Sequence, residues 1–508
     1  MDFIRRTLPI LLGIFLLSVA VRLPQLNRPL SNHHEFCTAI SLRVMQIWYD
    51  NGIENYAFNP VMTYNNEADK NINNYANQSG RMIDENGNYY YVSHPPFAYY
   101  FPFFVFKLLH IRPDVLPIQL FNFCLHFISG LFVYFTVCLL SFSRARAMPY
   151  NSAIVAFILY IFLPATLWFQ GNVYMSDMAV QTLFVIGVYT TLKMIVRQKF
   201  YSAKYIFFYT TVLALMLYTS WLGAFFAIGV LIYSLLHVRD IRGFRVIIWS
   251  TLLVTAVMLR LIVYQYAQIN GLGAYIEEML SRYLVRGSVA ETDHGLLHFM
   301  FSYLWYAKTI VYNYLVNYIV VYLLIGLFIW LAISRKKLKI VFSENGYRFI
   351  WLSVMPVALM HIFFLNYSMH DFTALYGSLF FSVLLGILYD KVKKSGAVSR
   401  NTLRVALFIA VILMIAQFHF INKKSSAADM QAGLFIKENT AQNETAFLIL
   451  GEASPQTVFY AGRNIKTVKD KAEAVAFLGT VKMQKGVLYS AGNNSIQIAE
   501  RFEIVTPK

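Results

Sequence analysis

The sequence predicts an α-helical, polytopic membrane protein that ends in a small α/β domain. Three observations predict it. Of 508 residues, 58% are hydrophobic and only 14% are charged, with a mean hydropathy of +0.51; soluble domains carry about 25% charged residues. Eleven stretches approach the ~20 apolar residues that a membrane span needs. The excess positive charge falls in alternate loops, as it does in proteins oriented by cytoplasmic Lys and Arg. Together these exclude a water-soluble globular enzyme, a disordered chain and a fibrous protein. Cys37, Cys124 and Cys138 make neither a disulfide framework nor a cysteine zinc site.

The expected spans cover 7–23, 116–142, 151–170, 178–196, 204–220, 221–237, 246–265, 309–333, 349–367, 372–389 and 403–421. Met1-Asp2-Phe3-Ile4-Arg5-Arg6 looks like a secretory n-region, but the apolar stretch ends in Val21-Arg22-Leu23-Pro24 and has no small-residue cleavage site, so it reads as a retained first span. Residues 95–110, broken by Pro95, Pro96 and Pro102, read as a helix lying at the interface. The loops at 1–6, 143–150, 193–204, 238–245, 334–348 and 390–404 hold 21 Lys and Arg against Asp2, Asp240, Glu344 and Asp390. The whole net charge of +17 therefore sits on one side, which is a topology signal and requires no nucleic acid. It puts the N-terminus in the cytoplasm and the C-terminal segment outside, with a bacterial inner membrane as the expected location.

Three outer segments are long: 24–115, rich in Asn and Tyr, 266–308, and the tail 422–508. Functional chemistry is expected there, since loops on a rigid scaffold carry sites. The domain division is 1–421 for the membrane part and 422–508 for the α/β part. In the tail, Ala446–Leu450 and Gly486–Tyr489 read as strands, and Pro455–Tyr460, Lys471–Leu478 and Ser495–Arg501 as helices.

Four constellations carry chemistry. Ser31-Asn32-His33-His34-Glu35 puts a carboxylate beside two imidazoles, suited to a general base or a divalent metal, against a wet polar loop as the bland reading. Tyr91-Val92-Ser93-His94-Pro95-Pro96 aims His94 from a stiffened segment into the interface. Gly171-Asn172-Val173-Tyr174-Met175-Ser176-Asp177 and His370-Asp371 each put an acid at the start of a span, where a simple cap is the competing reading. Arg282, Arg286 and Lys308 in the second long loop match phosphate oxygens, or snorkel to the interface. All of these fall on one face of the membrane.

This pattern resembles the GT-C superfamily of integral-membrane glycosyltransferases, nearest to the bacterial branch of lipid A aminoarabinose transferases and protein O-mannosyltransferases. The resemblance covers the whole chain and rests on the first-loop acidic motif, His94-Pro95-Pro96, Asp177 after Gly171-Asn172, His370-Asp371 and the soluble outer tail. The family's first-loop motif is Asp-Glu; here it is His34-Glu35. The resemblance implies inverting transfer of a hexosyl or pentosyl group from a polyprenyl-phosphate donor, in the membrane lipid, to a glycan, lipid or protein acceptor. It implies Glu35 as the base with His34 as the alternative, and His94 and Asp177 orienting acceptor or phosphate. It implies Arg282, Arg286 or Lys308 neutralising the leaving phosphate, with His370 and Asp371 beside the substrate. Some relatives use a divalent metal and others do not. A transporter or flippase is the rival reading, disfavoured because the span interiors are nearly free of charge; an O-antigen-ligase-like enzyme and a non-catalytic scaffold of the same fold are the others.

Overall fold

In the computed structural model, described residues are 2–31, 33–74, 80–141, 150–239, 241–287, 296–334, 343–396, 398–421, 426–449, 451–491 and 496–504. The membrane part begins with α1 (Asp2–Arg22). Then comes an ordered first loop holding α2 (Glu35–Asn51), the hairpin β1 (Arg81–Ile83) and β2 (Tyr89–Tyr91), and α3 (Phe97–Leu108). It continues through α4 (Val115–Ser141), α5 (Tyr150–Phe162), α6 (Pro164–Phe169), α7 (Ser176–Val196), α8 (Ala203–Leu217) and α9 (Trp221–His237). It closes with α10 (Phe244–Arg286), α11 (Leu296–Ser334), α12 (Glu344–Phe363), α13 (Leu365–Ser368), α14 (Ser378–Ser395) and α15 (Arg400–Ile421).

Each of the eleven expected spans falls on a helix. Eight helices among the described residues are long and apolar enough to cross a membrane, while α5, α8 and α9 are shorter apolar helices. The chain is a multi-pass integral membrane protein. The boundaries moved for local reasons. Pro164 offers no N–H to continue α5, so the third span breaks into α5 and α6. Ser220 is extended (φ −159°, ψ 160°), which separates α8 from α9. Helix α10 runs past residue 265 through a kink at Asn270 and Gly271, where Gly271 takes φ +84°. The second long loop is thus mostly helical extension of α10 and α11.

The buried centre is built by α4, α5, α7 and α14. Helix α14 comes close to α5 because Gly386 faces Ser152 and Ala156; a Cβ there would lie 2.8 Å from the Ser152 carbonyl. The outward faces of α10, α11 and α15 carry exposed Leu253, Leu261, Leu323, Phe408 and Ile409, the apolar surface that lipid covers. Arg22 closes the end of α1. Buried, it lies 4.1 Å from the Phe123 ring and hydrogen-bonds His126 and the Gln170 carbonyl, tying α1 to α4 and to the end of α6.

The tail forms α16 (Ala428–Asn439), β3 (Glu444–Ile449), α17 (Pro455–Ala461), β4 (Ile465–Val468), α18 (Lys471–Thr480), β5 (Lys485–Ala491) and β6 (Ile496–Glu503). The sheet order is β4-β3-β5-β6, parallel except for the antiparallel β5–β6 pair. Alternation along β3 and β5 feeds two cores: Ala446, Leu448, Val487 and Tyr489 on one face, Phe447 and Leu488 on the other. The helix expected at Ser495–Arg501 is instead strand β6, in its described part. The bare edge of β5 takes up its backbone groups from Ala491↔Ile496 to Lys485↔Glu503. Strand β4 and helix α16 were not expected.

The tail docks on the first loop. Asn464 is the anchor: its backbone N–H donates to Asp69 (2.7 Å), its side chain donates to the Ile72 carbonyl, and Arg43 donates to its Oδ1 (2.5 Å). Thr445 donates to the Ala68 carbonyl, and Tyr460 accepts from the Leu30 N–H.

Candidate active site

The first turn of α2 has two faces. Phe36, Cys37 and Ile40 line a cleft of about 260 Å³, whose other walls include Arg81, Arg282, Arg286, His94, Tyr367 and His370. Three guanidinium groups and two imidazoles converge there, and no carboxylate among the described residues lines it.

Arg286, at the end of α10, is buried. Its Nη2–H donates to His94 Nε2 (2.9 Å), and its guanidinium lies 4.5 Å from the Tyr367 ring. His94 is held by its backbone: Tyr266 donates to its carbonyl (2.6 Å), and Trp221 donates to the carbonyl of Ser93 (2.9 Å). Burial, then the Arg286 and Arg282 charges, hold the His94 imidazole well below its usual pKa, so it is neutral at pH 7. Accepting on Nε2, a neutral ring carries its proton on Nδ1, which is buried and has no partner among the described residues.

Asp177 is at the start of α7, but its carboxylate does not cap the helix. It reaches across to accept from Tyr367 (2.7 Å), Tyr376 and Ser176. It stands behind the cleft wall and fixes the tyrosine on which Arg286 rests. The capping reading is replaced by a bracing one.

The two His-rich motifs meet in a second cluster behind the cleft wall: His33, His34 and Asp371. His33 Nε2 lies 2.5 Å and His34 Nε2 2.8 Å from the two oxygens of Asp371. His34 has φ +59° and meets Phe36, His370 and Phe372 edgewise or tilted, all three of them cleft residues. Its Nδ1 is buried without a partner among the described residues. Burial, with His34 and the two arginines, lowers the His370 pKa to about 4 against the pull of Asp371. The donor atoms of His33, His34 and Asp371 lie within 4.8 Å of one another. Two imidazole nitrogens and a carboxylate fit a divalent ion such as zinc.

Glu35 points away from the cleft. It is fully buried, pairs with Arg28 (2.7 Å) and accepts the Ser31 N–H (2.9 Å), while Arg28 lies 5.6 Å from the Trp168 ring. Lys308 is exposed on α11 beside Trp305 and does not line the cleft, because α11 starts at Leu296 and carries that stretch as helix. His94, Arg282, Arg286 and His370 line the cleft; His34, Asp371 and Asp177 stand behind its wall. Arg81 and Tyr367 were not expected there. The signal for Arg81 was Asn86-Gly87, a hairpin turn pair that returns the chain to Tyr91, the strand partner of Arg81. Gly80 is needed beside it: at φ +92°, any Cβ would collide with Ser93.

No protein-family model matches the sequence, and no curated protein matches it. Solved structures do. ArnT from Cupriavidus metallidurans bound to undecaprenyl phosphate is 10% identical, with a TM-score of 0.56 over 96% of this chain and 93% of that one. The Archaeoglobus fulgidus oligosaccharyltransferase AglB, with an inhibitory peptide and a dolichol-phosphate, is 11% identical, with a TM-score of 0.54 over 95% and 69%. The same organism's oligosaccharyltransferase in complex with Zn and sulfate is 12% identical, with a TM-score of 0.55 over 94% and 68%. The chain thus shares the fold of ArnT and of the archaeal oligosaccharyltransferase, the fold that the resemblance implied.

Proposed function

We propose that the protein is an inverting glycosyltransferase that moves a sugar from a polyprenyl-phosphate carrier to a hydroxyl acceptor on the extracytoplasmic side of a bacterial inner membrane. The observation that supports it is the convergence of Arg81, Arg282 and Arg286 on a cleft walled by Phe36, Ile40 and Val285. Such a site pairs with phosphate and accepts the start of an apolar tail. Arginine matches phosphate oxygens bidentately, and charge-assisted bonds are the strong ones. The bound lipid phosphates of ArnT and AglB support the same donor class.

In the proposed reaction the acceptor hydroxyl loses its proton to His34, oriented by Asp371, and its oxygen bonds to the sugar C1 as the C1–O bond to phosphate breaks. The polyprenyl phosphate leaves onto the arginines, with the Nδ1–H of His94 as a further donor. Asp177 and Tyr367 hold Arg286 in place. Glu35 anchors the loop to Arg28 and Ser31, and His34 takes the base role that the resemblance implied for Glu35. A divalent ion held by His33, His34 and Asp371 would be the alternative to that base: it would lower the pKa of a bound hydroxyl, with His34 a ligand and no longer the proton acceptor. Residues 1–421 carry the reaction, and 422–508 form the docked outer domain.

Protein in nanodiscs is offered polyprenyl-phosphate sugars beside UDP- and GDP-sugars, with and without EDTA. Transfer and release of lipid phosphate are expected only from the lipid-linked donors, and transfer from a nucleotide sugar without lipid overturns the reading. For orientation, a periplasm-dependent reporter should be active when fused after Lys508 and silent after Arg146.

A further inference from the structure

A second hollow lies away from the cleft, at the far end of α2. It measures about 570 Å³, within the range of small-ligand sites. Its walls come from four places in the chain: the end of α2 and the turn after it, residues 65–71, the tip of the β1–β2 hairpin, and Val481 of the tail. Six amides line it: Asn51, Asn55, Asn65, Asn71, Asn86 and Asn88. They belong to the Asn-rich part of the first loop that the reaction leaves unused.

The frame is braced. Asn65 donates to Asn51 Oδ1 (3.0 Å), Lys70 to Asn88 Oδ1 (2.5 Å), and the Asn71 N–H to the Gly87 carbonyl (2.9 Å). Asp84 takes the N–H groups of Asn86 and Asn88 and so sets the hairpin tip. The Asn71 amide lies flat on Gly87, at φ +77°, where a Cβ would be 2.8 Å from it. The side chains of Asn71 and Asn86 are exposed and make no hydrogen bond among the described residues.

We infer that this hollow binds an extended, hydroxyl-rich glycan. An amide offers a donor and an acceptor side by side, which suits neighbouring sugar hydroxyls. Tyr56 adds a ring to the wall. The ionisable lining is Glu67 and Glu85 against a Lys70 already engaged, which repels phosphate; the scarcity of apolar groups repels lipid. Helix α2 separates the hollow from the cleft: from Glu35 to Asn51 it rises roughly 24 Å. A ligand touching both ends is therefore a glycan of several units. The inference rests on the proposed transferase reading and names its acceptor class as an oligosaccharide or polysaccharide held far from its reacting end.

The test is binding without donor. Protein in nanodiscs is titrated with maltohexaose, cellohexaose, chitohexaose and mannohexaose, and with the matching disaccharides, by calorimetry and saturation-transfer NMR. At least one hexasaccharide should bind at least about tenfold more tightly than its disaccharide. The N71A/N86A double variant should lose about tenfold or more, since each lost hydrogen bond contributes about 0.5–1.5 kcal/mol. Its thermal midpoint should drop only slightly, because Asn71 sits at φ +60°, where Ala is disfavoured relative to Asn, and its binding of undecaprenyl phosphate should stay unchanged. Failure of every hexasaccharide to bind at millimolar concentration overturns the inference. So does equal binding by the double variant, or binding that needs added calcium and is abolished by EGTA. Glycan binding that holds while no lipid-linked donor supports transfer rejects the transferase reading alone.

Discussion

A cleft and a neighbouring side-chain cluster meet at the start of α2, and they differ in charge. On one side Phe36, Cys37 and Ile40 face three arginines with no carboxylate among the described lining residues. On the other, His34 faces Asp371, and Glu35 is locked to Arg28. Phe372 and His370 form the partition. In the proposed reaction a phosphate leaving group and a proton-accepting base need this separation. A carboxylate in the arginine cleft would cancel the charge that holds phosphate, and an arginine beside the base would weaken it as a proton acceptor.

The base side carries the largest expected effect. His34→Ala should lower transfer by about 10²–10⁴-fold, the usual contribution of a general base, with donor binding intact. Glu35→Gln should chiefly lower the thermal midpoint, because it leaves Arg28 short of a charged partner in a buried site. If Glu35→Gln is fully stable, binds donor and is dead while His34→Ala is active, the comparison breaks and Glu35 is the base.

The cleft side comes next. Arg286→Ala should cost about 10²–10³-fold in kcat, comparable to losing a donor aimed at developing charge, and should weaken undecaprenyl phosphate binding. Because Arg286 is buried against His94, the thermal midpoint is measured alongside. Tyr367→Phe keeps the ring under Arg286 and removes only the bond to Asp177, so it should show a smaller loss of the same kind. Full activity in both variants would mean that the arginine cleft does not hold the phosphate.

The sequence made these sites legible to different degrees. Hydropathy and loop charge revealed the bundle because a span must be apolar along its whole length. His34, His94, Asp177 and His370-Asp371 stood out as ionisable groups at span ends. Their partners did not, because Tyr367 reaches Asp177 from 190 residues away and looks like any aromatic at a membrane interface. Arg81 enters the cleft only through the hairpin register with Tyr91. The face on which Glu35 points was also hidden: it depends on His34 taking a left-handed conformation just before α2, a choice made by packing against Phe372 and Asp371. In the tail, β6 has a helix-like composition and becomes a strand only because β5 has a free edge.

The imidazole in the cleft gives a pH test. His94 in the folded protein titrates well below its usual value, from burial and the two arginines. A histidine shifted this way contributes stability above about pH 6.5, its unfolded value, and that contribution is lost as pH falls further. Folding stability should therefore fall on acidification below about pH 6.5 more steeply in the wild type than in His94→Gln. Gln also accepts from Arg286 but does not titrate. Identical profiles would place the pH-sensitive group elsewhere.

The smallest effect concerns the interface between tail and first loop, away from both sites. Burial raises the Asp69 carboxyl to about 6, only partly offset by Arg463, the Asn464 N–H and Arg43. The sign is the reverse of an ordinary salt-bridged acid. The unfolded carboxyl titrates near the usual ~3.9, so the folded state binds more protons between there and pH 6. Asp69 thus contributes most below about pH 4, and its contribution is lost as pH rises through 6; at neutral pH it is a buried charge held at a cost. Asp69→Asn keeps an acceptor for the Asn464 N–H and removes the charge. It should raise the folding stability at pH 7.5 by an amount on the order of 2 kcal/mol or less, read as a higher thermal midpoint, and flatten the rise in stability from pH 7 to pH 5. Catalysis should not change, since Asp69 touches neither site. A variant less stable than wild type at pH 7.5 would show that the charge is net favourable there. Arg43 and Arg463 would then hold the tail through Asp69 as an ion pair, not by hydrogen bonding alone.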